Sequence, residues 1–423
     1  MIDRCRVALV VAAAAYLALL PTGAIAFWRS LAFAASSALM IVVLLGRARE
    51  RRQSTLPLPD AAIPLTVLAW ALWSFASLWW SVDAKLTLEE LKPDVLWGVV
   101  TMLVFYVATI SEPRAFEWLA GVMLASLAFW TALLAGIMLV GLDARPFHRG
   151  EGAFATYLVT AAPFVFLLAW RPPIGLRRRN RDWLVAALVL ALVIVSARLS
   201  QNRIVWVALA LAVIVVATSL PRQVKMRNVV AMAALVVAFG LLFGEAASER
   251  AAKVRPQDGS VSDAIGDDPR FEIWKHAAQR ISERPWLGYG YGLHIIGSEI
   301  GAQVGDPKVR HPHNLFLGQW LQTGAIGVAL FVAMLAAFAA RFLAFVRSRD
   351  LALARIGALG LAVLAAYCTR NLTDEFFIRA NGKILFAAIA MLLATGVLRS
   401  RQLSAVAAPP GQRTISSARP NSD

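Results

Sequence analysis

Cysteine is nearly absent: Cys5 and Cys368 are the only two in 423 residues. Two thiols exclude a disulfide scaffold and a cysteine-rich zinc module. Charged residues are scarce as well, at 16% against about 25% in an average soluble domain. They are almost missing from the interiors of the long apolar runs, where a transporter would place charges to carry its cargo. Histidine occurs only five times. Lys and Arg number 42 against 26 acids, a net charge of +16. No folded basic domain collects that excess, which excludes a nucleic-acid footprint.

Apolar residues, in contrast, make up 59% of the chain and the mean hydropathy is +0.64. A bilayer core takes about 20 apolar residues per helix. Twelve such runs are legible, near 6–27, 30–46, 62–81, 95–111, 116–140, 153–170, 183–197, 204–220, 228–245, 315–340, 351–369 and 383–398. The expectation is an all-α polytopic membrane protein of about twelve transmembrane helices. Residues 1–243 carry nine of them, 244–313 form a large loop, and 314–399 carry three more. The end of the chain, 400–423, reads as a disordered tail. The basic clusters at Arg4/Arg6, Arg47–Arg52, Arg177–Arg181, Arg222–Arg227, Arg347/Arg349 and Arg399/Arg401 all fall on one side if both ends are cytoplasmic. Most of the net charge is thus a topology signal. Cys5 and Cys368 then lie on opposite sides of the membrane. The segment Ala24-Ile25-Ala26 has the form of a signal-peptidase site, but the run before it is long for a signal sequence.

The outer loops hold the chemistry-bearing residues. The large loop ends in His311-Pro312-His313-Asn314, directly before an apolar run. Asn314 suits the N-cap of that helix, with His313 just outside it. A neutral imidazole at a membrane–water boundary can accept a proton, as a general base must; a histidine that only hydrogen-bonds backbone is the plainer alternative. His-X-His also resembles a metal pair, which His148 or Asp267 would have to complete, and no other ligand spacing supports it. Within the loop, Asp267-Asp268-Pro269 signals a helix start. Phe271, Trp274, Ala278 and Ile281 follow at helical spacing, predicting an amphipathic helix of about four turns that ends before Pro285. Arg270 in its first turn opposes the helix dipole, a conflict that a bound anion relieves. The glycines of Trp286-Leu287-Gly288-Tyr289-Gly290-Tyr291-Gly292 suit close backbone approach to a ligand or an irregular turn. Arg203 stands where span eight begins on the outer side, and Arg149 lies in the outer loop after span five. Arg203 is either an interface anchor or converges with Arg149 and Arg270 on a diphosphate leaving group, whose charge arginine neutralises. Asp83, after Trp79-Trp80-Ser81-Val82, is an outer carboxylate able to orient a hydroxyl or a histidine, or a solvated loop acid.

These stretches resemble the O-antigen ligase and O-antigen polymerase superfamily of bacterial membrane glycosyltransferases. The resemblance is carried by the twelve-span layout with a long loop before span ten. It is carried also by His311-Pro312-His313-Asn314-Leu315-Phe316-Leu317 and Thr323-Gly324-Ala325-Ile326-Gly327. Further matches are Arg270-Phe271-Glu272-Ile273-Trp274, Pro285-Trp286-Leu287-Gly288-Tyr289-Gly290, Ser200-Gln201-Asn202-Arg203 and Trp80-Ser81-Val82-Asp83. Asn202 departs from the small residue expected before the arginine.

The resemblance implies a GT-C-type, inverting glycosyltransferase in lipopolysaccharide biosynthesis, needing no metal or other cofactor. The donor would be a glycan on undecaprenyl diphosphate and the acceptor the lipid A–core oligosaccharide. Both would be met in the lipid bilayer at the periplasmic face of the bacterial inner membrane. It assigns His313 as general base and Arg203 and Arg270 to the departing diphosphate. Arg149, His311, Asn314, Asp83 and Tyr289 complete the expected substrate-binding set. A polymerase or a protein O-oligosaccharyltransferase would share this donor chemistry, and a flippase for the lipid-linked glycan is the alternative of another class.

Overall fold

The computed structural model describes residues 2–49, 57–142, 150–170, 182–200, 202–220, 270–305 and 309–407. These residues fold as helices: α1 (Ile2–Leu19), α2 (Ala26–Arg49), α3 (Ala62–Ala76), α4 (Ala84–Leu91), α5 (Trp97–Ser111), α6 (Ala115–Leu139), α7 (Glu151–Ala161), α8 (Phe166–Ala169), α9 (Asp182–Leu199), α10 (Ile204–Ser219), α11 (Arg270–Glu283), α12 (Gly297–Val304), α13 (Leu315–Val346), α14 (Leu351–Arg370) and α15 (Arg379–Ala407). Among the described residues, eight helices are long and apolar enough to cross a membrane, and α9 and α10 contain shorter apolar segments. With α1 these correspond to the expected runs, and the chain is an all-α polytopic membrane protein. The run at 228–245 and the helix-start signal at 267–269 lie outside the described residues.

α15 is the centre of the bundle. Every residue from Ile384 to Ala394 is buried, and it packs on α5, α7 and α14. A helix apolar on all sides has no face to offer water and belongs inside. α2, at the periphery, leaves Phe27, Leu31, Ile41, Val42 and Leu45 exposed, as a lipid-facing helix does.

Three expectations change. The stretch after span three is not a loop: Asp83 caps α4, accepting from Leu86 N at 2.9 Å, and a π-turn at Lys92–Leu96 joins α4 to α5. Pro93, lacking an N–H, marks that irregular join. α15 continues to Ala407, eight residues into the segment expected to be disordered. Finally, α11 buries Ile273, Ala277 and Ile281, whereas Phe271 of the expected stripe is exposed. The helix packs on α13 and α12, and that neighbour selects which stripe is covered.

α13 is broken. At 1.5 Å per residue its 32 residues would reach roughly 48 Å, well beyond a 30 Å hydrocarbon core. The break falls at Gly324, with φ 70° and ψ −176° inside the helix, a conformation open to glycine alone. A broken helix needs other partners for its freed backbone groups. The segment after α11 supplies them: Tyr289 N donates to Leu321 O at 2.8 Å, Gly290 N to Gln322 O at 2.9 Å, and Ala325 N to Pro285 O at 2.8 Å. A Cβ on Gly290 would overlap Ser81, and one on Gly288 would overlap the Leu321–Gly324 backbone. Those glycines therefore permit close approach to the protein's own backbone, not to a ligand.

Candidate functional site

The expected general base stands at the N-terminus of α13. Asn314 caps this helix, its Oδ1 accepting from Phe316 N at 3.0 Å and Leu317 N at 3.1 Å. Its Nδ2 donates to Leu372 O at 2.9 Å. Asn314 is thus a cap and a tie to the α14–α15 connection. His313, the residue before it, has φ 50°. Left-handed backbone at a non-glycine residue costs of order 1–3 kcal/mol and persists where the surroundings enforce it. Here His313 N donates to His311 Nδ1 at 3.3 Å, and the two rings lie 3.9 Å apart.

The partner of His313 comes from 61 positions away. Its Nδ1 lies 3.2 Å from Asp374 Oδ1. Asp374 Oδ1 also accepts from Glu375 N at 3.1 Å, and its Oδ2 accepts from Arg370 Nη2 at 2.9 Å. Burial opposes the Asp374 charge, but the hydrogen bond from His313 and the Arg370 guanidinium outweigh it and hold the carboxyl below its usual range. Burial, reinforced by His313 and His294, pushes His311 down to about 3. That ring stays neutral and serves as the acceptor that holds the His313 backbone. His294 stacks on its other side, with centroids 6.0 Å apart and planes at 13°. Glu375 is fully buried; burial first and then the adjacent Asp374 charge push its carboxyl well above the usual range. It accepts from Gln322 Nε2 at 2.6 Å.

Arg270 reaches this neighbourhood through α11. Trp274 Nε1 donates to Pro312 O at 2.9 Å, and Arg270 is one turn earlier on the same helical face. Arg270 lies within electrostatic range of Arg370. Arg203 stands immediately before α10, and α10 packs on α14, the helix that ends at Arg370. Arg149 is outside the described residues.

Two residues expected to contact substrate make contacts within the fold. Tyr289 is 4% exposed; its hydroxyl donates to Arg280 O and meets Glu283 Oε2, both at 3.0 Å. Asp83 is committed to capping α4, and the carboxylate that orients a histidine is Asp374 instead. The residues missed in the sequence are Arg370, Asp374, Glu375 and His294. A signal for three of them existed: Arg370, Asp374, Glu375 and Arg379 crowd a short connection between two apolar runs, on the same side as His313.

His311, His313 and Asp374 place one ligand atom each within 4.8 Å of one another, a spacing that could hold a metal ion. The donor set fits such an ion poorly. Asp374 Oδ1 is taken by His313 and its Oδ2 by Arg370, and the Arg370 charge repels a divalent cation. What the group can do is acid–base chemistry: a carboxylate-oriented imidazole beside fixed positive charge.

An O-Antigen ligase family profile matches residues 186–332 of the chain, from α9 through the break in α13. The chain is also 26% identical, over 286 residues, to an O-antigen ligase of Pseudomonas aeruginosa. That match covers 66% of this chain and spans 65% of the relative's length.

Proposed function

We propose that the chain is an O-antigen ligase, as its profile match and its relative suggest, and that it transfers a glycan from undecaprenyl diphosphate to the lipid A–core oligosaccharide. The reaction takes place at the periplasmic face of the bacterial inner membrane, with both ends of the chain cytoplasmic. The observation that carries this reading is the His313–Asp374–Arg370 chain of contacts at 3.2 and 2.9 Å, with Arg270 close by.

In this reading Asp374 accepts a hydrogen bond from His313 Nδ1–H, which leaves Nε2 free to take the proton of an acceptor sugar hydroxyl. The oxygen then attacks the anomeric carbon, the bond to the diphosphate breaks, and one displacement inverts the centre. Arg203 and Arg270, with Arg149, stabilise the charge that grows on the departing undecaprenyl diphosphate, which arginine does without proton exchange. A lipid diphosphate is already an activated donor, so the chemistry asks for no metal and no nucleotide.

The test uses purified protein in detergent with the lipid-linked glycan, lipid A–core and EDTA, comparing wild type with His313→Ala. Product from wild type alone, unaffected by EDTA, supports a metal-independent ligase with His313 as base. Longer chains from donor alone, with nothing added to lipid A–core, identify a polymerase. Equal product from both proteins removes His313 from the mechanism.

A further inference from the structure

Arg370 ends α14 with its side chain wholly buried. Its Nη2 contacts Asp374 Oδ2 at 2.9 Å and Gly152 O at 3.3 Å, and its Cζ lies 5.5 Å from the Phe376 ring centre. Its Nε and Nη1 have no hydrogen-bond partner among the described residues. This is a poor way to stabilise a fold. Desolvating a guanidinium is costly, and well-packed apolar residues in place of a buried ion pair are often neutral or better. Nor is Arg370 needed to shape the turn after α14. Asn371 does that, donating from Nδ2 to Tyr367 O at 2.9 Å and accepting from Phe376 N at 2.7 Å.

What Arg370 alone contributes is a claim on one carboxylate oxygen. By taking Oδ2 it turns Oδ1 toward the His313 ring and the Glu375 amide. A carboxylate facing Nδ1 requires that nitrogen to carry the proton. We propose that Arg370 is a positioning residue for the transfer reaction: its guanidinium holds the Asp374 carboxylate in the orientation that keeps His313 in its Nδ1–H form. The proposal rests on the reading of His313 as the base, and Arg370 acts on it through Asp374 without touching substrate.

The full-length protein is purified as wild type, Arg370→Met, Arg370→Lys and His313→Ala, with folding followed by size exclusion and thermal unfolding. Transfer kinetics are measured, and the His313 tautomer is read by 15N NMR of histidine-labelled protein in bilayers, its signal identified by its loss in His313→Ala. Arg370→Met is expected to lower kcat about 100-fold, with KM for the donor within about threefold and a shift of His313 toward its Nε2–H form. Arg370→Lys, a point charge able to engage one oxygen, recovers tenfold or more of that loss and restores the Nδ1–H signal. A folded Arg370→Met with unchanged kcat, or with reduced kcat and an intact Nδ1–H signal, overturns the proposal. So does a rise in KM alone, which would make Arg370 a donor-binding group. Should Arg370→Met fail to fold, Arg370→Gln takes its place: lower kcat with a shift toward the Nε2–H form supports the role, and wild-type kcat and tautomer in a folded Arg370→Gln overturn it. If His313→Ala remains active, the base reading itself fails, whatever the tautomer in the arginine variants.

Discussion

Asp374→Asn removes one charge and almost no volume, so its effect isolates what the carboxylate does. The Asp374 oxygens accept from three donors: His313 Nδ1 at 3.2 Å, Glu375 N at 3.1 Å and Arg370 Nη2 at 2.9 Å. An amide offers one acceptor atom and one donor. With its nitrogen toward Arg370, two donors face each other and a buried guanidinium loses the carboxylate it pairs with. With its nitrogen toward His313, the imidazole must turn over its tautomer, and Nε2 then carries the proton that it ought to accept. Both orientations leave Arg370 without a counter-charge, and breaking a buried pair costs roughly 3–5 kcal/mol of stability. Loss of an oriented base lowers kcat by about 100- to 10,000-fold. The expected outcome is thus a protein with a lower unfolding midpoint and a kcat reduced at least 100-fold, with KM for the lipid-linked donor little changed. Thermal unfolding in detergent and steady-state transfer between purified lipid substrates measure the two effects. A stable Asp374→Asn with wild-type kcat would refute the dyad, as would a loss confined to KM.

Asp83→Ala removes a helix cap, costing about 1 kcal/mol of stability and leaving kcat unchanged; a loss of more than tenfold in kcat would return Asp83 to the substrate. His311 is buried neutral in the folded protein and binds a proton more readily once unfolded, so its contribution is full above the ordinary histidine range and shrinks as pH falls from about 6.5 toward about 3. His311→Gln should therefore weaken the loss of stability between pH 7 and pH 5 by about 2 kcal/mol, read from unfolding curves at the two pH values. Glu375 is held protonated, which disfavours the fold increasingly as pH rises above the ordinary carboxyl range. Glu375→Gln keeps an acceptor for Gln322 and should leave stability at pH 7 equal or higher, whereas a marked loss would mean that the ionised form is the native one. A Cβ at position 318 would overlap the Glu375 carboxylate, so Gly318→Ala should cost about 1–3 kcal/mol and slow transfer by displacing the neighbouring Asp374.

The membrane spans were legible because hydropathy is a local property: a run of apolar residues states its own environment. The cap at Asn314 and the place of His313 before it were legible for the same reason, since a cap concerns residues two and three positions apart. The break in α13 announced itself only as a glycine in an apolar run. What Gly324 does there depends on Pro285 and on the Tyr289–Gly290 backbone arriving from the preceding loop. The same docking decided that Tyr289 is buried scaffold. The carboxylate of the site was decided by tertiary structure alone. Asp83 and Asp374 look alike in sequence, each an acid beside a span. Packing of α14 against the start of α13 brings Asp374 to His313, while the local turn at Ala84 claims Asp83 for a cap. Local chemistry determined which residues enter and leave the membrane. Which of the charges between spans face one another was determined by how the helices pack, because a contact between positions 313 and 374 has no local signature.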